Sequence, residues 1–541
     1  MRTLFFTSMA VLLVANAALA AAFPILWISF GVLVVLALVG VHDVNQKSHA
    51  VLRNFPVIGH FRYLLEMIRP EINQYFIESN TDGTPFNREL RSVVYQRAKG
   101  ELDTLPFGTQ RDVYEPGYEW IAHSVLAHTP KEHDPRVVIG AETCAQPYSS
   151  SLLHVSAMSF GSLSSHAVLA LNKGARMGGF AHNTGEGGIS SYHLEHGGDL
   201  IWQIGTGYFG CRSKDGRFDL DRFRENATRP SVKMIEVKLS QGAKPGHGGI
   251  LPAVKLTEEI ASIRGVPMGH DVLSPPAHSA FGTPDELLEF VETLREASGG
   301  KPVGIKLCVG VQSEFMALAK AMVRSDRHPD YIAVDGGEGG TGAAPLEFSN
   351  SVGSPLADGL VFVHNCLVGF GLRERVRVIA SGKIATGFQL VSRLALGADA
   401  CASARSMMLA LGCIQARRCN ANDCPVGVAT QKENLVGGLD VEDKAQRVQR
   451  FHAETLDSAL ELLAAAGLSS PSEVSPEHIL RRTGPTEVKS YFELYPFLEK
   501  GALLFEPVPT AYEEAWRASS PDSFRPRGYA AGSGPLSSVT P

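Results

Sequence analysis

Cysteine is scarce in this sequence, which has eight cysteines in 541 residues. So sparse a set excludes a disulfide scaffold for a chain of this length and favours a reducing compartment. A basic excess is also lacking, because the formal net charge is −6. Proteins that bind a phosphate backbone present a basic face, so we expect no nucleic acid among the partners.

Charged residues are absent from the stretch 3–41. At ~1.5 Å per residue, one straight helix of that length would be nearly twice as long as the hydrocarbon core of a bilayer is thick, and Pro24 lies near its middle. We therefore predict two transmembrane helices within residues 1–42, joined at Phe23-Pro24. The alternative is a cleavable signal peptide, because residues 18–22 match a small-residue cleavage site.

Basic residues follow the second predicted span, at Lys47, Arg53, Arg62 and Arg69. Because positive charge is retained on the cytoplasmic side of a membrane, we predict a multi-pass protein of the cell membrane with a cytoplasmic catalytic domain.

Four further regions follow the apolar segment. Residues 43–130 combine apolar positions at helical spacing with Pro/Gly-punctuated loops, which predicts a helical adaptor. Residues 131–435 form the main domain, and residues 436–516 are expected to form a C-terminal helical extension. Residues 517–541 are rich in Ser, Pro and Gly, which predicts a disordered tail.

The main domain alternates short apolar runs with segments of helical character. The runs cover residues 154–160, 179–185, 200–207, 234–240, 302–310, 331–337, 376–383 and 400–406. Helix candidates between them include residues 285–298, 313–325 and 387–397. Eight strands alternating with helices over about 250 residues predict an α/β fold, a (β/α)8 TIM barrel preceded by the transmembrane hairpin and the helical adaptor.

Polar residues recur at the ends of these predicted strands. Because the strand ends of a barrel meet at one face, they point to an active site there. They are Ser156, Ser159, Asn183, Glu186, Thr206, Lys238, Gln241, Lys306, Asp335, Ser381 and Lys383. A single one of them is more often a cap or a solvated loop residue, so the argument rests on their recurrence.

Two loop types suggest phosphate binding. The loops after the last two strands, 381-SGKIATG-387 and 403-SARS-406, occupy the usual phosphate position of such barrels, and Lys383 adds charge. Residues 337–342 match G-x-G-x-x-G. We predict no helix directly after that match, so we interpret it as a phosphate-binding or lid-forming loop of a barrel and not as a dinucleotide-binding turn.

Three cysteines lie close together, at Cys413, Cys419 and Cys424, and Pro425 follows the last. A disulfide framework needs an even number, and structural zinc sites use four ligands. Three thiolates suit an iron–sulfur cluster that lacks one iron. Ordinary buried cysteines are the alternative.

Several long motifs resemble the FMN-binding domain of glutamate synthases. They are 156-SAMSFGSLS-164, 182-HNTGEGG-188, 236-EVKLSQGAKPGHGG-249, 270-HDVLSPP-276, 331-YIAVDGGEGGTGAAP-345 and 412-GCIQARRCNANDCPVGVATQ-431. The resemblance covers roughly residues 90–435. It implies that the cysteine triplet binds a [3Fe-4S] cluster next to FMN.

The resemblance also implies roles for individual residues. Lys238 matches the lysine that contacts the oxo-acid and acts as a general acid, and Glu186 matches the carboxylate that orients ammonia or the imine. Gln241 and Lys244 match residues that line the flavin and the substrate. The implied FMN-binding residues are Ser156, Ala157, Met158, Ser159, Thr206, Lys238, Asp335, Gly336, Gly337, Gly339, Gly340, Ser381, Gly382 and Lys383.

The sequence also departs from this family. An N-terminal nucleophilic cysteine, a glutaminase domain and a complete NAD(P)H module are not recognised. We therefore expect ammonia from solution or a separate subunit, and electrons from ferredoxin or a separate reductase. Ile250 stands where the family has a glutamine that contacts 2-oxoglutarate, and His247 where it has a glutamate. The chain is thus similar to the stand-alone, membrane-tethered branch, related to the flavin subunit of N-methylglutamate synthases.

The expected reaction is reduction of an imine, formed from 2-oxoglutarate and ammonia, to L-glutamate. An oxidoreductase with the same cofactors but another amine or oxo-acid substrate is the alternative that Ile250 favours. A non-catalytic membrane scaffold is a third hypothesis, against which the intact cysteines and Lys238 count.

Overall fold

A computed structural model describes residues 1–528. The chain forms two compact units, Met1–Glu89 and Leu90–Pro541. Residues 529–541, the end of the predicted disordered tail, lie outside the described residues.

The first unit is helical. Its helices are Arg2–Ala22, Leu26–Asn45, Ala50–Asn54 and Gly59–Ile72, followed by a π-helical turn, Asn73–Ile77. The first helix ends directly before Phe23, so the predicted break at Phe23-Pro24 is confirmed. The first two helices pack on each other, with Asn16 Nδ2 donating to Ser29 Oγ at 2.8 Å. Both have the length and apolarity of a membrane span, a test that signal sequences and core helices of soluble proteins also pass.

The second unit contains a closed barrel of eight parallel strands. In chain order they are β1 Leu153–Val155, β2 His182–Asn183, β3 Leu200–Ile204, β4 Val232–Lys238, β5 Val303–Leu307, β6 Tyr331–Asp335, β7 Arg377–Ser381 and β8 Ala400–Ser403. β8 pairs with β1, with Ala402 opposite His154. Every predicted strand is therefore confirmed, and the polar residues at the run ends lie within the last two residues of the strands or in the loops that follow them.

Helices connect the strands. Those of the second unit are Ser165–Gly178, Ser191–Leu194, Leu220–Ala227, Glu258–Arg264, Pro284–Ala297, Gln312–Ser325, Leu346–Ser351, Leu356–Gly369, Gly387–Ala395, Arg405–Ala410, Glu433–Val436, Val441–Ala465, Tyr491–Leu494 and Thr510–Ala518, and Arg88–Lys99 lies at the unit boundary. The three predicted helices are all present. The start of the helix Pro284–Ala297 is determined by local residues, because Thr283 and Glu286 form a capping box and Pro284 takes the first helical position.

One end of the barrel is closed by a β-hairpin, Arg136–Ile139 and Tyr148–Ser151. Its Ile139 and Tyr148 share a buried cluster with strand residues that include Ile201 and Tyr331. The helix Val441–Ala465 packs outside the barrel, where His452 stacks on Phe180 and contacts the carbonyl oxygen of Leu153 at 2.8 Å. These contacts leave the carboxyl ends of the strands for the loops that carry the polar residues.

Two predictions of the periphery need correction. The C-terminal extension is not purely helical, because Ile479–Arg482 pairs with Glu119–Ile121 and with Val488–Ser490 in an antiparallel sheet. Residues 517–528 are not a disordered tail, since Lys320 Nζ donates to the carbonyl oxygens of Trp516 and Ser519.

A third correction concerns the G-x-G-x-x-G stretch. A short helix, Leu346–Ser351, does follow it, contrary to the prediction. The strand before it, β6, nevertheless belongs to the closed barrel.

Candidate functional site

Lys238 is the last residue of β4 and lies at the centre of the candidate site. Its Nζ donates to Glu186 Oε1 at 2.9 Å and to Gln241 Oε1 at 2.6 Å. All three side chains were predicted as site residues, and the structure brings them together. Gln241 Nε2 is buried and has no hydrogen-bond partner, and a buried unpaired donor of this kind is suited to a ligand.

Glu186 lies in the loop after β2, and its carboxylate lies between Gly205 and Gly249. A Cβ at Gly205 would lie 2.6 Å from Glu186 Oε2, and a Cβ at Gly249 would lie 2.5 Å from Oε1. Burial raises the pKa of Glu186, but the charges of Lys238, Lys244 and Arg264 outweigh burial and hold it below its ordinary value. The site therefore contains a carboxylate that stays ionised at neutral pH, beside a lysine that donates to it.

Lys244 links two loops of the site. It is 1% exposed, and its Nζ donates to the carbonyl oxygen of Ala343 in the loop after β6 at 2.9 Å. Burial lowers its pKa to about 8; Glu186 opposes this shift and Lys238 adds to it. An ammonium that titrates near neutral pH within a pocket is a candidate for substrate binding or proton transfer.

Asp335 ends β6 and pairs with Lys306 of β5 at 3.2 Å. It also accepts a hydrogen bond from the backbone N–H of Gly242 at 3.1 Å. Burial lowers the pKa of Lys306, but Asp335 and Glu236 outweigh burial and raise it. Lys306 is therefore a fixed cation in the floor of the site, although the sequence marked it only as a polar strand end.

The glycine-rich loop after β6 is held by hydrogen bonds that its backbone N–H groups donate to backbone carbonyl oxygens. Gly336 N–H donates to Ser381 O at 3.1 Å, Gly337 N–H to Ser354 O at 2.8 Å, and Gly339 N–H to Gly336 O at 2.9 Å. A side chain at Gly340 would overlap Arg405. These three amides are already bonded within the protein, and they hold the loop in place beside the site.

The loops after β7 and β8 instead offer cations. Burial and the neighbouring Arg405 lower the pKa of Lys383, while Glu338 opposes them. Arg405 donates to the carbonyl oxygen of Glu338 at 2.7 Å. Lys383 and Arg405 thus bring two cations to these loops, facing Glu338 and Asp335, and cations at this position can bind a phosphate group. Lys383 has a left-handed backbone conformation, with φ of 50°.

The segment after β1 holds four of the predicted flavin residues. Ser156 Oγ lies 3.2 Å from Ser381 Oγ, so the end of β1 is in contact with the end of β7. Gly382 is the residue after Ser381. Ala157 is half-buried, Met158 and Ser159 are buried, and Ser159 Oγ donates to Ser162 Oγ at 3.1 Å. The remaining predicted residue, Thr206, donates to the carbonyl oxygen of Pro275 at 2.6 Å.

Three buried residues of the long insertion between β4 and β5 were missed by the sequence analysis. His278 Nε2 lies 2.8 Å from the carbonyl oxygen of Lys238. Arg264 Nη2 donates to the carbonyl oxygen of Phe160 at 3.2 Å, and Lys255 contacts the cysteine loop. None of the three ends a strand, so strand-end spacing could not reveal them.

The cysteine triplet follows the helix Arg405–Ala410. Burial, with smaller contributions from Cys419 and Cys424, raises the pKa of Cys413 to about 12. The three thiols therefore lie close enough to interact electrostatically. Within residues 1–528, no group of three or more His, Cys, Asp or Glu is arranged to hold a single metal ion. A cluster is larger than one ion, so that result does not test the predicted three-iron cluster.

The triplet loop packs against the segment that follows the predicted flavin residues of β1. Ser164 N–H donates to Val428 O at 2.9 Å. Gln431 Nε2 donates to the carbonyl oxygens of Gly161 and Leu163 at 3.1 and 2.8 Å. The residues that follow Cys424 therefore pack on the residues that follow Ser159.

The loop after β4 and the loop after β6 are in backbone contact beside Asp335, so we expect Gly242→Ala to destabilise the protein. A methyl group at Gly242 would overlap the carbonyl oxygen of Gly336. Overpacking of this kind costs ~1–3 kcal/mol. We expect a lower free energy of unfolding in urea and a lower affinity for flavin. Gly310→Ala is the control, because nothing lies within 4 Å of its Cβ position; equal effects of the two substitutions would contradict the account.

Comparisons with known proteins agree with this architecture. The family model described as a conserved region in glutamate synthase matches residues 121–469. A glutamate synthase large subunit-like protein, YerD of Bacillus subtilis, is 39% identical over 491 residues, which cover 83% of this chain and 93% of that protein. An archaeal glutamate synthase (NADPH) of Methanocaldococcus jannaschii is 37% identical over 58% of each chain.

Solved structures also show similarity. A mandelate oxidase with benzaldehyde is 14% identical with a TM-score of 0.41, over 80% of this chain and 96% of that one. A flavocytochrome b2 with pyruvate is 15% identical with a TM-score of 0.40, over 79% and 87%.

Proposed function

The chain belongs to the glutamate synthase family, and on that basis we propose that it is a flavin and iron–sulfur oxidoreductase that reduces the imine of 2-oxoglutarate and ammonia to L-glutamate. The observation that carries the proposal is the joined set of Lys238, Glu186 and Gln241 at the carboxyl end of β4. A lysine bonded to a carboxylate offers partners to a charged oxo-acid and to an ammonium or iminium group, and this supports the proposal.

FMN is the proposed cofactor, and when bound it supplies hydride to the imine carbon. The residues fit such a group. Lys383 and Arg405 would hold its phosphate, because their charges converge beside the loops after β7 and β8. Lys306, held by Asp335 at 3.2 Å, would contribute a fixed positive charge to the flavin site.

Lys238 would position the oxo-acid and hold a proton at Nζ for the substrate. Glu186 would attract the ammonium or iminium group, since the neighbouring cations keep its carboxylate ionised. Both side chains are largely buried, and an ion pair in a low-dielectric site acts more strongly on a substrate than one in water.

The cysteine triplet is the proposed site of a [3Fe-4S] cluster, with Cys413, Cys419 and Cys424 as ligands. Their mutual electrostatic interaction, and the hydrogen bonds from the nearby Gln431 to Gly161 and Leu163, support this assignment. Such a cluster would pass electrons to the flavin from ferredoxin or from a separate reductase. A separate subunit that delivers ammonia is a further proposed partner.

We expect Lys244 to make substrate capture dependent on pH. Its ammonium is present below a pKa of about 8 and is lost above it. The kcat/KM for the oxo-acid should therefore fall as pH rises through about 8, because an anionic substrate loses a cationic partner. A profile from pH 6.5 to 9.5 would measure this. Lys244→Met should lower kcat/KM and remove this limb of the profile; an unchanged profile would exclude the role.

Another substrate is the second candidate, and Ile250 favours it. Ile250 is half-buried on the short strand Ile250–Leu251, directly after Gly249, whose Cα faces Glu186. An apolar side chain there offers no hydrogen bond to a distal carboxylate. His247, whose ring contacts Phe348, shares the same loop.

A product assay separates the two candidates. Anaerobic protein is supplied with reduced ferredoxin, 15N-ammonium and one of a set of oxo-acids or amines. Labelled L-glutamate formed from 2-oxoglutarate supports the first candidate. Turnover with another oxo-acid or with methylamine, and none with 2-oxoglutarate and ammonium, would replace it with the second.

We also propose that the protein is anchored in the cell membrane by its first two helices, with the barrel in the cytoplasm. The helix Gly59–Ile72, in the same unit, supports this. Its apolar residues Phe61, Leu64, Leu65 and Ile68 are exposed on one face. Arg62 and Arg69 lie beside that face, a pattern typical of helices at an anionic membrane surface.

We expect the catalytic unit to resist external protease in sealed, right-side-out cells. The reason is the basic flank after the second helix, which favours the cytoplasmic side. Immunoblotting for the barrel measures its survival, and permeabilised cells provide the control in which it is digested. Digestion in sealed cells, or a soluble mature protein that begins near residue 23, would support the signal peptide instead.

A further inference from the structure

Lys255 is a buried lysine that contacts the cysteine loop. It ends the helical turn Ala253–Lys255 in the insertion between β4 and β5 and is 2% exposed. Its Nζ donates to three carbonyl oxygens, those of Ser162 at 2.5 Å, Cys419 at 3.3 Å and Ala429 at 3.2 Å. One side chain therefore joins the segment after β1 to the middle cysteine of the triplet and to a residue that follows the last cysteine.

The ionisable groups that face this ammonium include no carboxylate. Its ionisable neighbours are Cys419, Cys424 and the like-charged Arg264. Burying an ammonium away from water is unfavourable unless an opposite charge is nearby. The three carbonyl oxygens satisfy its N–H groups but contribute only dipoles. The arrangement is balanced only when negative charge is present at the triplet.

We propose that Lys255 is the counter-charge of the cluster held by Cys413, Cys419 and Cys424, an inference that rests on the proposed cofactor. Thiolate ligands supply the negative charge that its surroundings lack. Each electron that enters a cluster from a donor adds one negative charge, so a fixed cation next to it favours the reduced form. Lys255 therefore raises the reduction potential of the cluster and, through Ser162, holds the cluster loop against the flavin segment.

The barrel contains a matched control, Lys301. It is also buried and donates to main-chain carbonyl oxygens, those of Ala227 at 2.6 Å and Arg229 at 2.8 Å. Its charged neighbour is Lys233, and none of the cysteines of the triplet influences it. Replacing it by methionine removes the same kind of buried ammonium without removing a charge beside the triplet.

The test is an anaerobic redox titration followed by EPR on the wild-type protein and on Lys255→Met, Lys255→Arg and Lys301→Met. We expect Lys255→Met to shift the midpoint potential of the cluster to more negative values, and we expect the other two variants to stay near the wild-type value. If Lys255→Met binds flavin but no iron while Lys255→Arg keeps both, the counter-charge role is also supported.

Two results would overturn the inference. An unchanged potential in Lys255→Met with full iron content would show that the charge does not act on the cluster. Loss of iron in both Lys255 variants would show that shape, and not charge, is required. Wild-type protein without iron would instead contradict the proposed cofactor itself, which distinguishes the two failures.

Discussion

Lys238→Ala is expected to reduce turnover on the order of 10²–10⁴-fold while FMN and iron remain bound. Nζ of Lys238 is the group that holds the proton and the oxo-acid in this account, and its loss also leaves Glu186 without its closest cation. The proposed phosphate and cluster sites lie in other loops, so cofactor content should not change. Steady-state kinetics with the substrate identified by the product assay, together with flavin and iron analysis, would measure both effects.

Two further variants sharpen this prediction. Glu186→Gln keeps the size of the side chain but removes its charge, so we expect a loss of similar order. Lys233→Ala is the control, because Lys233 lies near the opposite end of the same strand, where it pairs with Asp199 at 3.8 Å. Full activity of both Lys238→Ala and Glu186→Gln would show that the active site is wrongly assigned.

Cys419→Ser is expected to remove the iron before the flavin. A serine hydroxyl is a poor ligand for an iron–sulfur core, and the two remaining thiolates cannot hold three irons. We expect the Cys419→Ser protein to retain its flavin absorbance but to lose the broad iron–sulfur absorbance and most of its iron.

Cys144→Ser is the matched control for that substitution. Cys144 is half-buried as well, but its Sγ lies beside Thr143 at 3.6 Å, in the hairpin region at the other end of the barrel. We expect it to keep full iron content. Iron loss in both variants, or in neither, would contradict the role of the triplet.

The barrel strands were predictable from the sequence because each is a short apolar run that ends in a polar or glycine-rich loop. β4, for example, is buried along most of its length and ends at Lys238, which belongs to the candidate site. The helix Pro284–Ala297 was equally predictable, because its capping residues are local. Local patterns determine these elements, and the closure of the barrel follows from their number and order.

Other features depend on contacts between distant residues and carry no local signal. The strand Glu119–Ile121 finds its partner at Ile479–Arg482 only in the folded chain. Residues 517–528 have the composition of a linker but are held by Lys320 and Arg324.

The residues of the candidate site also fall into two groups, those that the sequence predicted and those that only the structure identifies. Lys238, Glu186 and Gln241 were found by motif and strand position, and the structure joins them. Lys255 and Arg264 lie in the insertion between β4 and β5, where neither strand spacing nor helix period marks them. Only their burial and their contacts with Cys419 and Phe160 identify them.

The central claim is that the barrel carries a flavin at its strand ends and a three-iron cluster in the adjacent cysteine loop. Cofactor analysis of anaerobically purified protein tests it most directly, by flavin extraction, metal quantification and EPR of the oxidised sample. The account predicts one FMN and about three irons per chain, with the EPR signal of an oxidised three-iron cluster. Protein without flavin, or with stoichiometric zinc in place of iron, would contradict it.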